Sequence, residues 1–224
     1  MAKIAMLHTS FVFLNVDTQV QELISDLMPG DEVIHFVDSE VLADVVRDGE
    51  ITESSRDRMI HLAQAAERAG ADVIFSACSS LGPAIDAAKD KVSVPIVKID
   101  DAMTRDAALA GGKIGVLATV PTTLGPTADL IRAHAEAEGI EVEVIERLAE
   151  GAFDVLMSGD RARHDEMVKA AAQAAVAEGV DRLVLAQASM ARMAEPLQEL
   201  TGIPVHSSPR RGVENLSAHV HHED

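Results

Sequence analysis

Short runs rich in β-branched residues alternate along this chain with longer, Ala-rich stretches whose apolar positions recur every three or four residues. The short runs predict strands: "KIAML", "EVIHFV", "ADVIFSA" and "VPIVK", then "KIGVLA", "EVEVIE", "DRLVLA" and "IPVH". Helices fill the intervals. Strands separated by helix-length segments are the pattern of βα units around a parallel sheet, so the predicted class is α/β.

The two sets of strands can be laid over each other. "KIAMLHTSFVFL" from Lys3 matches "KIGVLATVPTTL" from Lys113 at an offset of 110 residues, which places Thr9 over Thr119 and Leu14 over Leu124. "GADVIFSACSS" from Gly70 matches "GVDRLVLAQAS" from Gly179, and Pro95 falls over Pro204, both at an offset of 109. Shared order and spacing predict a duplication: two pseudosymmetric α/β lobes, 1–100 and 101–205, each a four-stranded parallel sheet flanked by helices. The C-terminal strand ends of both are expected to face a common cleft, where α/β sheets place ligands. Residues 206–224 are expected to pack back on the first lobe, with Ser and Pro starting a helix, and the end "HVHHED" to fray.

Composition narrows the function classes. Aromatic residues make up only 2% of the 224, so the core must come from Ala, Val, Ile, Leu and Met. A net charge of -18, with no basic cluster or stacking platform, argues against nucleic acid and anionic membrane surfaces. No apolar run approaches the roughly 18 residues that span a bilayer. One cysteine excludes an internal disulfide framework, and the first residues enter a strand without a signal-peptide pattern; the expected location is cytoplasmic. The run "RDGEITESSRDR" reads as solvated surface or a mobile flap.

The candidate chemistry gathers at predicted strand ends. Cys78 ends the strand in "ADVIFSACSSLGP" and precedes a helix start, where unpaired N–H groups and the helix dipole favour a thiolate. A thiolate near neutral pH is both a base and a nucleophile; the alternative for Cys78 is a small buried hydrophobe. The duplication pairs Cys78 with Gln187, Ser80 with Ser189, and Thr9 with Thr119. Ser10, Ser79, Ser80, Thr119, Thr122, Thr123 and Ser189 all fall on strand-to-helix turns, where hydroxyls and backbone N–H groups hold carboxylates or simply cap helices. His8 ends the first strand and either tunes the thiol's protonation or is a hydrogen-bonded structural group. His219, His221 and His222 lack carboxylate support, so no metal site is assigned. "AGGKIGVLAT" lacks the dinucleotide spacing and leads into a strand, and Walker, H-E-x-x-H and C-x-x-C signatures do not occur, so a cofactor-free site is expected.

These residues resemble the aspartate/glutamate/hydantoin racemase superfamily over essentially the whole chain. "ADVIFSACSS" is similar to its first cysteine motif, "DRLVLAQASMA" to its second, and "IGVLATVPTTL" to its second-lobe substrate turn. The resemblance implies two pseudosymmetric α/β lobes, a site between them, no cofactor and a homodimer. In the family's racemases two cysteines face opposite sides of the substrate's Cα, one removing the proton and the other returning it. Carboxylate-binding N–H and hydroxyl groups stabilise the enediolate-like state.

This chain departs from that pattern at one place. The second motif usually reads L-G-C-x-x-M or L-G-C-T-H, whereas here it is "LAQASM", with Gln187 where the second cysteine belongs. A primary amide does not exchange protons usefully at pH 7, although it donates and accepts hydrogen bonds. One thiol suits one-sided chemistry: decarboxylation of a malonate-like acid, a one-base isomerisation or a retro-aldol-like cleavage. Family decarboxylases also use one cysteine, but theirs resembles the second-motif one, which would give this chain the opposite hand. Covalent attack on a C=C, as in the superfamily's maleate isomerases, or on a carbonyl is also open. The leading expectation is a cofactor-independent enzyme on a small carboxylic or dicarboxylic acid or cyclic imide-like relative. Cys78 would be its acid/base or nucleophile and Gln187 would orient the substrate or its oxyanion. The competing expectation is a catalytically silent small-acid binding protein.

Overall fold

The computed structural model describes residues 1–11, 14 and 18–221. The chain divides into two compact units, Met1–Ile99 with Pro209–Asp224, and Asp100–Ser208. The first unit carries the strands β1 (Lys3–His8), β2 (Glu32–Val37), β3 (Val73–Ser76) and β4 (Ile96–Lys98). Its helices include α1 (Gln19–Leu27), α2 (Val41–Asp48), α3 (Glu53–Arg68) and α4 (Gly82–Lys89). The second unit carries α5 (Asp101–Leu109), β5 (Gly112–Ala118), α6 (Pro121–Glu138), β6 (Val142–Leu148), α7 (Ala152–Met157), α8 (Arg161–Ala177), β7 (Arg182–Leu185), α9 (Ala194–Thr201) and β8 (Val205–Ser207). The closing helix α10 (Ser208–Val220) belongs almost wholly to the first unit.

Both sheets are parallel and have the same topology, β2-β1-β3-β4 and β6-β5-β7-β8. Buried parallel strands lack the clean alternation of half-solvated ones, which is why β3 reads "VIFS" and β7 "RLVL", buried nearly throughout. In the first unit, Ala5, Leu7 and Ile74 pack against Met59, Ala63 and Ala66 of α3 and Ala84, Ile85 and Ala88 of α4. In the second, Leu117, Leu183 and Leu185 pack on Val168, Ala172 and Ala175 of α8. Ile114, Val116 and Val184 face Met103, Ala107, Ala128 and Ile131 of α5 and α6. Alanine on the inner helix faces lets helix and sheet approach closely, so a core with so few aromatics still fills.

The duplication extends to polar detail. Asp72 accepts the Lys3 N–H at 2.8 Å while its own N–H donates to the Lys3 carbonyl at 2.8 Å. Asp181 does the same with Lys113, at 2.6 and 2.7 Å. Each aspartate precedes the third strand of its sheet and pins the start of the first. Gly112, at φ +81°, permits the close approach of Asp181; a Cβ there would meet Oδ2 at 2.4 Å.

The charged run after α2 is ordered. Thr52 caps α3 by accepting the Ser55 N–H at 3.2 Å. Arg58 binds Asp38, at the end of β2, through both Nε and Nη2, and reaches Asp44 of α2 at 2.5 Å. Burial works to raise the Asp38 pKa, but the Arg58 guanidinium and the N–H groups of Glu40 and Val41 outweigh it and hold the carboxyl below its ordinary value. Most of the run, including Arg47, Glu50, Glu53, Arg56 and Asp57, is exposed, as the solvated-surface reading expects, while Arg58 fastens α2 and α3 to the strand. The expected fray of "HVHHED" is revised at its start: α10 runs through Val220, and His221 reaches Asp31 at 2.8 Å. His222 and the remaining two residues lie outside the described residues.

Candidate active site

Strand pairing gives the two ends of the sheets a common register. Leu7 of β1 lies beside Ser76 of β3, and Leu117 of β5 beside Leu185 of β7. Two residues beyond these pairs stand Thr9 and Cys78 in the first unit and Thr119 and Gln187 in the second. The equivalence read from the sequence is therefore a structural one. Cys78 leaves its strand at φ −128°, ψ 109° and heads one turn of 3₁₀ helix, Ser79–Leu81, that runs into α4. Gln187 leaves at φ −129°, ψ 133° and heads the 3₁₀ segment Ala188–Met193 that runs into α9.

In the first unit Cys78 is half-buried against the cluster formed by Leu7, Ile74 and Leu81. Ser79 and Ser80 are buried in the turn that follows, Thr9 is buried and Ser10 is half-buried. His8 belongs elsewhere. Strand alternation puts it on the face opposite Leu7, where its Nε2 lies 3.0 Å from His35 Nδ1 on β2. Burial, with a smaller contribution from His35, lowers its pKa to about 4, and burial lowers His35 as well. Both imidazoles are neutral at pH 7, so one ring N–H donates to the other ring's lone pair. His8 Nδ1 is buried and meets no hydrogen-bond partner among the described residues.

In the second unit the Gln187 amide is fixed. Its Oε1 accepts the Thr119 N–H at 2.6 Å, the Thr119 hydroxyl at 3.0 Å and the Val120 N–H at 3.2 Å. Two of these donors are backbone N–H groups, which can meet only the oxygen of a carboxamide; the orientation is thus dictated by chemistry. Nε2, with its two N–H groups, is turned away from the turn. Thr123, buried in the first turn of α6, donates its hydroxyl to the Val120 carbonyl at 2.8 Å. Thr122 and Ser189 are half-buried.

Sequence reasoning did not single out Arg192. Within the 3₁₀ segment that begins after Gln187, it donates to both carboxylate oxygens of Asp165, at 2.7 and 2.5 Å, and approaches Nδ1 of the buried His164 at 3.2 Å. Arg192, with a smaller contribution from His164, holds the Asp165 pKa at about 2 against the opposing effect of burial. The cluster ties the segment to α8. A lone arginine in the otherwise apolar "SMARMA" was its only signal. A shallow depression of about 710 Å³ lies at the other end of β5 from Thr119. Its Lys113 and Arg132 are ion-paired with Glu143 and Glu146, and it includes none of the predicted site residues.

Two duplicated units of parallel α/β structure, with a thiol and an amide at matching strand ends, define a two-unit α/β protein of racemase type. The chain belongs to the Asp/Glu/hydantoin racemase family, whose model matches residues 15–216. No curated protein matches the sequence. Among solved structures it is similar to a glutamate racemase from Bacillus anthracis, at 18% identity and a TM-score of 0.76, over 99% of this chain and 82% of that one. It is also similar to an aspartate racemase homologue from Pyrococcus horikoshii, at 22% identity and a TM-score of 0.67, over 96% and 97%. An allantoin racemase from Klebsiella pneumoniae matches at 17% identity and a TM-score of 0.66, over 98% and 88%. None of the described helices is long and apolar enough to cross a membrane.

Proposed function

We propose that this chain is an isomerase that moves a proton at the carbon beside the carboxyl or carbonyl group of a small acid, with Cys78 as its acid/base. Family membership supports the reaction type. The neighbours' own substrates, glutamate and allantoin, direct the choice of acid toward amino-dicarboxylic acids and hydantoin-like rings. The Cys78 thiolate takes the proton; the C–H electron pair moves onto the neighbouring oxygen as an enediolate-like state; the thiol then returns a proton to carbon, which inverts the centre only when the planar intermediate has first turned its other face to Cys78. Carboxylate binding is assigned to the hydroxyl and N–H groups of Ser10, Ser79, Ser80, Thr122 and Ser189, with Thr119 and Thr123 shaping the second-unit turn.

The observation that carries the reading is the orientation of Gln187. With Oε1 committed to Thr119 and Val120, the side chain offers only donors, and donors are what a charge-gathering oxygen requires. Gln187 is accordingly assigned to the oxyanion and not to proton transfer.

The test is to incubate the protein with aspartate, glutamate, allantoin, substituted hydantoins and substituted malonates, and to follow isomer ratios by chiral chromatography and carbon dioxide release. One acid class is expected to isomerise, and Cys78→Ala to slow it by about 10²–10⁴-fold, the usual worth of a positioned acid/base. Binding without turnover, or equal turnover by Cys78→Ala, would overturn the proposal.

A further inference from the structure

Six residues follow Gln187 in 3₁₀ geometry, Ala188–Met193, whereas three, Ser79–Leu81, follow Cys78. Runs of 3₁₀ helix beyond about three or four residues are uncommon because their hydrogen bonds are poorly aligned, so a longer one needs support from outside itself. The two units stiffen this stretch differently. At the offset of 109, Arg192 stands where the first unit has Pro83, whose ring fixes φ in the first turn of α4. In the second unit α9 begins only at Ala194, after the arginine.

Three residues per turn sort the segment into rows. Met190 and Met193 form an inner row, buried in the cluster that includes Val168, Ala172 and Ala175 of α8. Half-buried Ser189 and exposed Arg192 form an outer row. From it Arg192 lays its guanidinium fork on the Asp165 carboxylate, Nη1 to Oδ2 at 2.7 Å and Nη2 to Oδ1 at 2.5 Å. His164, buried beside them, brings Nδ1 to 2.8 Å from Asp165 Oδ1. Both anchors sit in the first turns of α8, which Asp160 caps by accepting the Arg163 N–H at 2.9 Å. At the other end of the segment, the Met190 N–H donates to the Gln187 carbonyl at 3.0 Å.

Gln187 is therefore held at two points. Its tip rests in a cradle of three donors, the Thr119 N–H and hydroxyl and the Val120 N–H, while its main chain continues into the segment moored by Arg192. The cradle fixes Oε1, but the direction of Nε2 also depends on where the main chain holds Cα. We propose that Arg192, clamped on Asp165 and His164, is a positioning residue that sets the main chain of Gln187 and so aims its N–H donors. The inference rests on the assignment of those donors to the oxyanion, but the clamp itself can be read without substrate.

Arg192→Met keeps the stem and removes the fork; Asp165→Asn keeps the shape and removes the charge, and serves if the first variant does not fold. On the acid that the wild type turns over, each is expected to lower kcat about tenfold, with a smaller rise in KM, because a misaimed donor is missed chiefly in the transition state. The double variant should be no slower than the worse single, since both changes break one clamp. Arg192→Lys, which returns the charge without the fork, should recover only part of the loss. Lys169→Met, which opens only an ion pair with Glu166 on α8, should leave kcat unchanged.

NMR of the Gln187 side-chain NH₂ group, identified by its disappearance in Gln187→Glu, reads the clamp without substrate. Its order parameter should fall to about 0.6 or less, the flexible range, in Arg192→Met and Asp165→Asn, and keep the wild-type value in Lys169→Met. An NH₂ group unchanged in both clamp variants, or an unchanged kcat in them, would overturn the clamp. An NH₂ group that loosens in a protein that isomerises no acid would instead overturn the proposed reaction and leave the clamp standing.

Discussion

Gln187 shows how one side chain's surroundings limit its chemistry. Because its oxygen is held by Thr119 and Val120, replacing it with Glu keeps an oxygen in the cradle and exchanges the outward donors for an acceptor. Gln187→Glu is expected to fold with an unchanged melting temperature and to lose at least about tenfold in kcat/KM on the acid that the wild type turns over, as loss of an oxyanion donor would cause. Steady-state kinetics beside a thermal melt checks both halves. His8 makes a different prediction. Its folded-state pKa, about 4, lies below the ordinary histidine value of 6.5, so the unfolded chain binds that proton more readily. The stability it permits is complete above about pH 6.5 and drains as pH falls toward 4, by roughly 3 kcal/mol in all. Urea midpoints measured from pH 7.5 to 4 should show that slope in the wild type and a flatter one in His8→Leu.

At the scale of elements, polar ties hold neighbouring helices and strand ends together. Lys98 ends β4 only 5% exposed, and its ammonium meets Asp86 of α4 at 2.8 Å. Asp86→Ala would leave that charge buried and alone; the expected loss is about 2 kcal/mol, less than for a wholly buried pair because Asp86 is 46% exposed. Lys98→Met removes the charge with its partner and should cost much less, so the ratio of the two losses in denaturant melts separates an uncompensated charge from lost packing. Such ties were hard to see in the sequence. The exposed charge of "RDGEITESSRDR" was legible, but the ties of Arg58 within it were not, because its partners sit 14 and 20 residues earlier, in other elements. Strands and helices were legible because hydrophobic periodicity is local, whereas ion pairs across elements carry no period.

For the molecule as a whole, the duplicated architecture was readable because both halves bury the same pattern at nearly constant spacing. Asp72 and Asp181, each returning to the start of its sheet, show that the repeat includes hydrogen bonds as well as strands. The addresses of Cys78 and Gln187 followed from that repeat. What the repeat did not disclose was which way the Gln187 amide faces, since carboxamide orientation depends on backbone donors 67 and 68 residues away. In the proposed reaction that orientation makes the second thiol position a donor site, with Cys78 as the single proton-transfer group. One thiol that removes and returns a proton on one side of a carbon exchanges that hydrogen with solvent more often than it inverts the centre. The direct measurement is the ratio of deuterium incorporation to inversion at Cα in deuterium oxide, followed by NMR and chiral chromatography on the acid turned over by the wild type. The one-thiol account predicts exchange well ahead of inversion, its loss in Cys78→Ala, and faster inversion in Gln187→Cys. Inversion keeping pace with exchange in the wild type, or exchange that survives Cys78→Ala, would contradict it.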